Sequence, residues 1–108
     1  MNTVMLVGRL TRDPELRTTP AGVSVVNFGI AVDRRFKDTA GEKQTDFFNV
    51  TAWRQTAEFV ANYLGKGRLV CVQGSVQNRK YEKDGVEKQV TEIQADQVQG
   101  LDRAKEAE

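Results

Sequence analysis

The sequence predicts an all-β fold with one helix. Three observations carry that reading. Apolar and polar residues alternate in strand-length segments, Asp84-Gly85 is the two-residue signal of a tight hairpin, and one segment switches to helical period.

In chain order, Thr3–Leu10 is rich in Val, Leu and Met and reads as the first strand. Asp13-Pro14 and Pro20-Ala21-Gly22 mark turns on either side of a short polar segment. In Val23–Asp33, the residues Val26, Phe28, Ile30 and Val32 share one parity and Asn27, Gly29 and Ala31 the other, the pattern of a half-buried strand. Lys37–Thr45, with Asp38, Thr39, Gly41 and Glu42, is a loop, and Asp46–Trp53 is the third strand. Over Gln55–Leu64 the period changes: Ala57, Val60, Ala61 and Leu64 fall on one helical stripe, and Gly65 or Gly67 supplies the stop. Arg68–Glu82 is a long fourth strand, and Val86–Val98 returns from the turn as the fifth. This order matches the OB-fold, a five-stranded Greek-key barrel with its helix between strands three and four, which serves oligonucleotides and oligosaccharides.

The 108 residues suit one domain, assigned to residues 1–101, with a polar, frayed end at 102–108. A domain this small buries a modest share of its surface, so self-association would add stability. Hydrophobic content of 39% and charged content of 29% exclude wholesale disorder. No apolar run approaches the ~18 residues of a membrane helix. Met1-Asn2-Thr3-Val4 shows no export signal, so a cytoplasmic location is expected. The single cysteine, Cys71, can form no internal disulfide, and Leu69-Val70-Cys71-Val72 reads as a buried strand with Cys71 in the core. The chain has no histidine, which excludes His-based catalytic triads and imidazole zinc sites, and one cysteine excludes a thiolate cluster. No cofactor or metal is expected.

Net charge is +1, yet the charge is segregated. Residues 1–37 carry six Lys/Arg against three Asp/Glu, and residues 59–81 carry four Lys/Arg and no acid. The acidic excess lies at 38–58 and 82–108. The basic segments either form one face in the fold or are ordinary solvated surface.

Aromatic residues stand on the wrong side of two strands. In the third, Phe48, Val50 and Ala52 share the core parity, and Phe47 and Trp53 share the other with Asn49 and Thr51. Side chains alternate strictly along a strand, so both sets cannot enter one small core. In the fourth, Val70, Val72 and Val76 oppose Gln73, Ser75, Gln77, Arg79 and Tyr81, although a bulge at Gly74 would shift the register. Phe36 sits among cations in Arg34-Arg35-Phe36-Lys37. Exposed rings beside Lys and Arg are what a single-strand binder needs: every base has a π-face, and the cations hold phosphates. The first strand is apolar on both faces, Val4 and Leu6 on one and Met5 and Val7 on the other, which points to cover by another subunit or by the chain's own loops.

These residues resemble the bacterial single-stranded DNA-binding protein family over almost the whole chain. The resemblance rests on Leu6-Val7-Gly8-Arg9-Leu10, Asp13-Pro14-Glu15-Leu16-Arg17, Trp53-Arg54, Ala57-Glu58 through Leu64, Lys66-Gly67 and Arg79-Lys80-Tyr81. It implies an OB-fold, a homotetramer, and sequence-tolerant binding and protection of single-stranded DNA in replication, recombination and repair, with no enzymatic step. It implies base stacking on Phe36, Phe47, Trp53 and Tyr81, where the family often has Trp at three of these positions. Expected backbone contacts are Arg9, Arg34, Arg35, Lys37, Arg54, Lys66, Arg79 and Lys80, with Val4, Met5, Leu6, Val7 and Phe48 at subunit contacts. The family's flexible tail with an acidic tip, which recruits replication and repair proteins, has no counterpart before Glu108. Such partners are expected only if a tail belongs to a longer chain.

Two other classes compete. A carboxylate–metal nuclease would draw on Asp13, Glu15 and Asp33, but nothing in their spacing forces convergence. An interaction module would use the same aromatics on a polypeptide, and RNA is a near variant of the DNA reading.

Overall fold

The structure, a computed structural model, describes residues 1–102. Six strands and one helix follow in the order β1 (Val4–Leu10), β2 (Glu15–Thr18), β3 (Ser24–Asp33), β4 (Thr45–Trp53), α1 (Arg54–Tyr63), β5 (Leu69–Lys83) and β6 (Val86–Gly100). The sheet order is β1-β5-β6-β4-β3-β2, and a further β1–β3 pairing joins Arg9 to Ala31 and Leu10 to Ile30. Pairing therefore runs around a ring of five strands, the OB-fold arrangement, with β4 and β6 its parallel pair.

The sixth strand, β2, corrects the reading of residues 15–18 as mere connection. All four of its residues are exposed, and it pairs with β3 from Glu15↔Asn27 to Thr18↔Ser24. A strand held by backbone bonds alone leaves no apolar alternation to read. It shares one edge of β3 with β1, which takes the far end.

Inside the ring, Val26, Phe28 and Ile30 of β3 meet Val50 and Ala52 of β4, Val70 and Val72 of β5, and Ile93 of β6. Each large apolar side chain so buried contributes about 1.5–3 kcal/mol. Helix α1 adds Ala57 and Val60, and Leu64 follows at its C-cap. Phe48 is half-buried against this core, in line with its parity. Cys71 does not join it: Val70 and Val72 point inward, so Cys71 faces out opposite Val7, partly covered. Val76 is exposed although it keeps the parity of Val70 and Val72 and its partner Ile93 is buried.

Neither glycine ends α1 as a cap. Leu64 is already extended at φ −119°, its N–H donating to the Val60 carbonyl, and Gly67 at φ +88° serves the following turn. The hairpin turn is as the sequence predicts: Asp84 and Gly85 have φ of 54° and 76°, the left-handed pair of a type I′ turn. The polar end assigned to 102–108 falls outside the described residues except for Asp102, which is anchored. Its carboxylate accepts from Arg68 Nε at 2.7 Å and from the Leu69 N–H at 3.3 Å.

The bulge lies where the sequence places it, but the extra residue is on the partner strand. Gln73 pairs with Gln97 and Gly74 with Ala95, which leaves Asp96 unmatched. The parity of β5 is therefore unbroken, and Tyr81 stays on the outward side with Arg79. At Gly74 the two backbones come so close that a Cβ would overlap the Gln94 carbonyl and lie 2.9 Å from Ala95 Cα. Gly74→Ala is expected to cost about 3 kcal/mol or more, lowering the melting temperature by over ~10 °C. Gly22→Ala, strained only by its φ of 83° with open space around it, is expected to cost about 1 kcal/mol. Circular-dichroism melts of the two variants check both values.

Candidate nucleic-acid interface

The outward residues of β3, β4, β6 and the upper part of β5 form one surface. On it lies an open groove of about 680 Å³. Asn27, Asn49, Thr51 and Gln94 line its middle; Arg12, Arg17 and the Thr18–Pro20 turn form one side, and Arg79, Val90 and Glu92 the other. Trp53 borders it at the end of β4. Several of these polar groups are already paired. Thr51 Oγ1 donates to Asn27 Oδ1 at 2.8 Å, and Trp53 Nε1 donates to Gln94 Oε1 at 3.0 Å.

All four aromatics singled out in the sequence are exposed: Phe36 by 78%, Phe47 by 72%, Trp53 by 44% and Tyr81 by 40%. Phe47 and Trp53 project from the same side of β4, six residues apart, which spans roughly 20 Å along the strand. Tyr81 lies on the hairpin with the Arg79 guanidinium 5.7 Å from its ring centre, and Arg35 stands 5.7 Å from the Phe36 ring. These distances suit cation–π attraction, which steadies each ring without covering it.

The cations divide into groups. Of those predicted, Arg79 lines the groove. Lys80 lies beside Tyr81 in a shallow recess near the hairpin tip. Arg34, Arg35 and Lys37 belong to the β3–β4 loop. Arg54 borders a separate cavity behind Trp53 and has a left-handed φ of 59°, a strained start to α1. Arg9 donates to the Gly67 carbonyl at 2.9 Å, and Lys66 donates its backbone N–H to Asp13, both away from the groove. Arg12 and Arg17 were not singled out, yet both line it. Arg12 has only the basic excess of residues 1–37 as a sequence signal, and Arg17 stands in addition in the Asp13–Arg17 segment of the family resemblance.

Acidic partners already hold several cations. Arg79 contacts Glu92 at 2.7 Å, and Arg34 grips Asp46 through two bonds of 2.9 and 3.0 Å. Asp38 shapes the loop that carries Phe36, its carboxylate accepting the N–H groups of Ala40 and Glu42 and the Gln44 amide. Two of the three supposed nuclease carboxylates are engaged elsewhere, Asp13 by the Lys66 N–H and Asp33 by Thr45 and Lys43, and Glu15 is exposed on β2. Among the described residues no three Asp, Glu or Cys side chains are grouped to hold a metal.

These pairings move carboxyl pKa values. The bond from Arg34 holds Asp46 below the usual range, and bonds from Lys43 and Thr45 do the same for Asp33. At Asp102 burial pushes upward, but Arg68, the Leu69 N–H and Arg9 outweigh it and the net shift is down. A lowered folded-state pKa adds stability above the unfolded value of about 4 and loses it as pH falls through the folded one. Carboxyl NMR titration is expected to place the Asp46 midpoint below that of an unpaired Asp, and Arg34→Gln is expected to return it upward.

Comparison with known proteins agrees with this geometry. The single-strand binding protein family model matches residues 1–101. The chain is 56% identical to single-stranded DNA-binding protein 3 of Listeria innocua, over 94% of this chain and 64% of that one. It is 52% identical to single-stranded DNA-binding protein A of Bacillus subtilis, over 94% and 60%. The chain thus spans less than two thirds of these curated relatives. A solved Plasmodium falciparum SSB in complex with ssDNA superposes with a TM-score of 0.85 at 30% identity, covering 94% of this chain and 96% of that one. The single-stranded DNA-binding protein of Thermus aquaticus, in a deletion mutant, superposes at 0.77 with 31% identity, covering 94% and 51%. With residues 1–101 matched and the fold shared, the chain belongs to the single-strand binding protein family.

Proposed function

We propose that the chain binds and protects single-stranded DNA, with little regard to sequence and without altering it chemically, during replication, recombination and repair. The observation that carries this reading is the groove with Trp53 at its border, Phe47 on the same strand face, and Arg12, Arg17 and Arg79 along its sides. Bases stack on Trp53, Phe47, Tyr81 and Phe36, and the cations neutralise phosphates. Sequence tolerance follows from the stacking, since every base presents a π-face to an aromatic ring whatever its edge carries. The names of the relatives, and the ssDNA in the Plasmodium complex, support the same ligand.

The active form is proposed to be a homotetramer. Met5 and Val7 stand exposed on the outward face of β1, and Val4–Gly8 pair with β5 on one side only, leaving a strand edge open to a second copy. Val4, Leu6 and Phe48 back this surface from within, packed against the core. No helix among the described residues is long and apolar enough to cross a membrane, and a cytoplasmic place beside the nucleoid suits the ligand.

Titration with poly(dT) at low salt is expected to quench Trp53 fluorescence, with affinity falling steeply as salt rises. Trp53→Ala is expected to weaken binding by about 1–3 kcal/mol, read through anisotropy of a labelled oligonucleotide. No binding at low salt would sink the proposal, and loss of labelled DNA on incubation with Mg²⁺ would revive the nuclease. Native mass spectrometry is expected to find four 12.1 kDa chains together, and Met5→Lys with Val7→Lys to shift the assembly toward smaller species. A wild-type monomer would overturn the tetramer and leave the binding claim standing.

A further inference from the structure

We infer that Gln94 is a positioning residue for base stacking: its hydrogen bond fixes the Trp53 indole as the wall between the groove and the cavity behind it. The inference rests on the single-stranded DNA reading of the groove. Trp53 borders two spaces, the groove on one side and, on the other, a cavity of about 650 Å³ between Gly22–Ser24 and the start of α1. A ring open on two sides has room to change rotamer, and only some rotamers meet a base. A binding-competent state that is only partly populated weakens apparent affinity by that fraction.

One bond limits this freedom. The indole carries a single N–H and no acceptor, so it is the amide oxygen of Gln94 that turns toward it, at 3.0 Å. The parallel β4–β6 register pairs Gln94 with Thr51, two residues before Trp53 on the same side of the strand, so the bond runs diagonally along the groove.

Gln94 is itself well anchored. Ile93 and Ala95 on either side of it are buried, and its backbone lies against Gly74 of β5, where no Cβ fits. A side chain rooted between two buried residues, where β5 and β6 approach closely, thus holds the ring at its border. Nothing in Glu92-Ile93-Gln94-Ala95 marks Gln94 beyond its outward parity.

Trp53 is the chain's one tryptophan, so its fluorescence reports the bond directly. In Gln94→Leu the fast local depolarisation of the free protein is expected to grow, and oligo(dT) affinity to fall about 2–10-fold, the range of one hydrogen bond. In a Trp53→Phe background, which has no N–H to hold, the same change is expected to alter affinity less than about 2-fold. Gln94→Asn, one methylene too short, gives a second variant that keeps a polar side chain and should behave like Gln94→Leu. Equal losses in both backgrounds, or unchanged depolarisation in both variants, would overturn the role of Gln94 while wild-type binding stands. Failure of the wild type to bind oligo(dT) would sink the parent reading and this one together.

Discussion

The rest of the structure depends on the close contact of β5 with β6 at Gly74 and the unmatched Asp96 beside it. Below that point, Val98 shares the side of Val72. Were the alternation of β6 unbroken, Asp96, Gln94 and Glu92 would follow Val98 inward and bring two carboxylates and an amide into the barrel, at several kcal/mol each. The extra residue reverses the sides, so Ile93 and Ala95 close the core and Gln94, Glu92 and Val90 join the groove. Glycine is required because a side chain on β5 would keep the strands apart. One small residue thereby completes the core and supplies the groove with its polar lining.

Around that contact the chain separates two chemistries. Facing in, aliphatic and aromatic residues of β3, β4, β5 and β6 pack with α1 and leave no buried polar or charged side chain among the described residues. Facing out, Phe36, Phe47, Trp53 and Tyr81 stand exposed, with a hydrogen bond steadying Trp53 and guanidinium groups steadying Tyr81 and Phe36. Arg79 and Arg34 are each paired with an acid, so a phosphate must displace a carboxylate to engage either fully.

Much of this was legible from parity. The opposed sets Phe48, Val50, Ala52 and Phe47, Trp53 lie on the two sides that their spacing requires, and Asp84-Gly85 forms its turn, because both signals depend on neighbours along the chain. The strand β2 was not legible, since backbone bonds hold it without a buried side chain. Arg12 and Arg17 were missed for the same reason: the pairing of β2 with β3 carries that segment to the groove's side. Cys71 was misread as core because its apolar neighbours hid a simple alternation.

The sequence by itself determined the barrel class, the helix, the hairpin and which aromatics face away from the core, since strand and helix periods are local properties of the chain. Only the tertiary structure decided which strand carries the extra residue, which cations share the groove, and that Gln94 meets Trp53. Those depend on register between strands far apart in sequence: a shift of one residue turns every side chain to the opposite face, and no single strand records its partner's register.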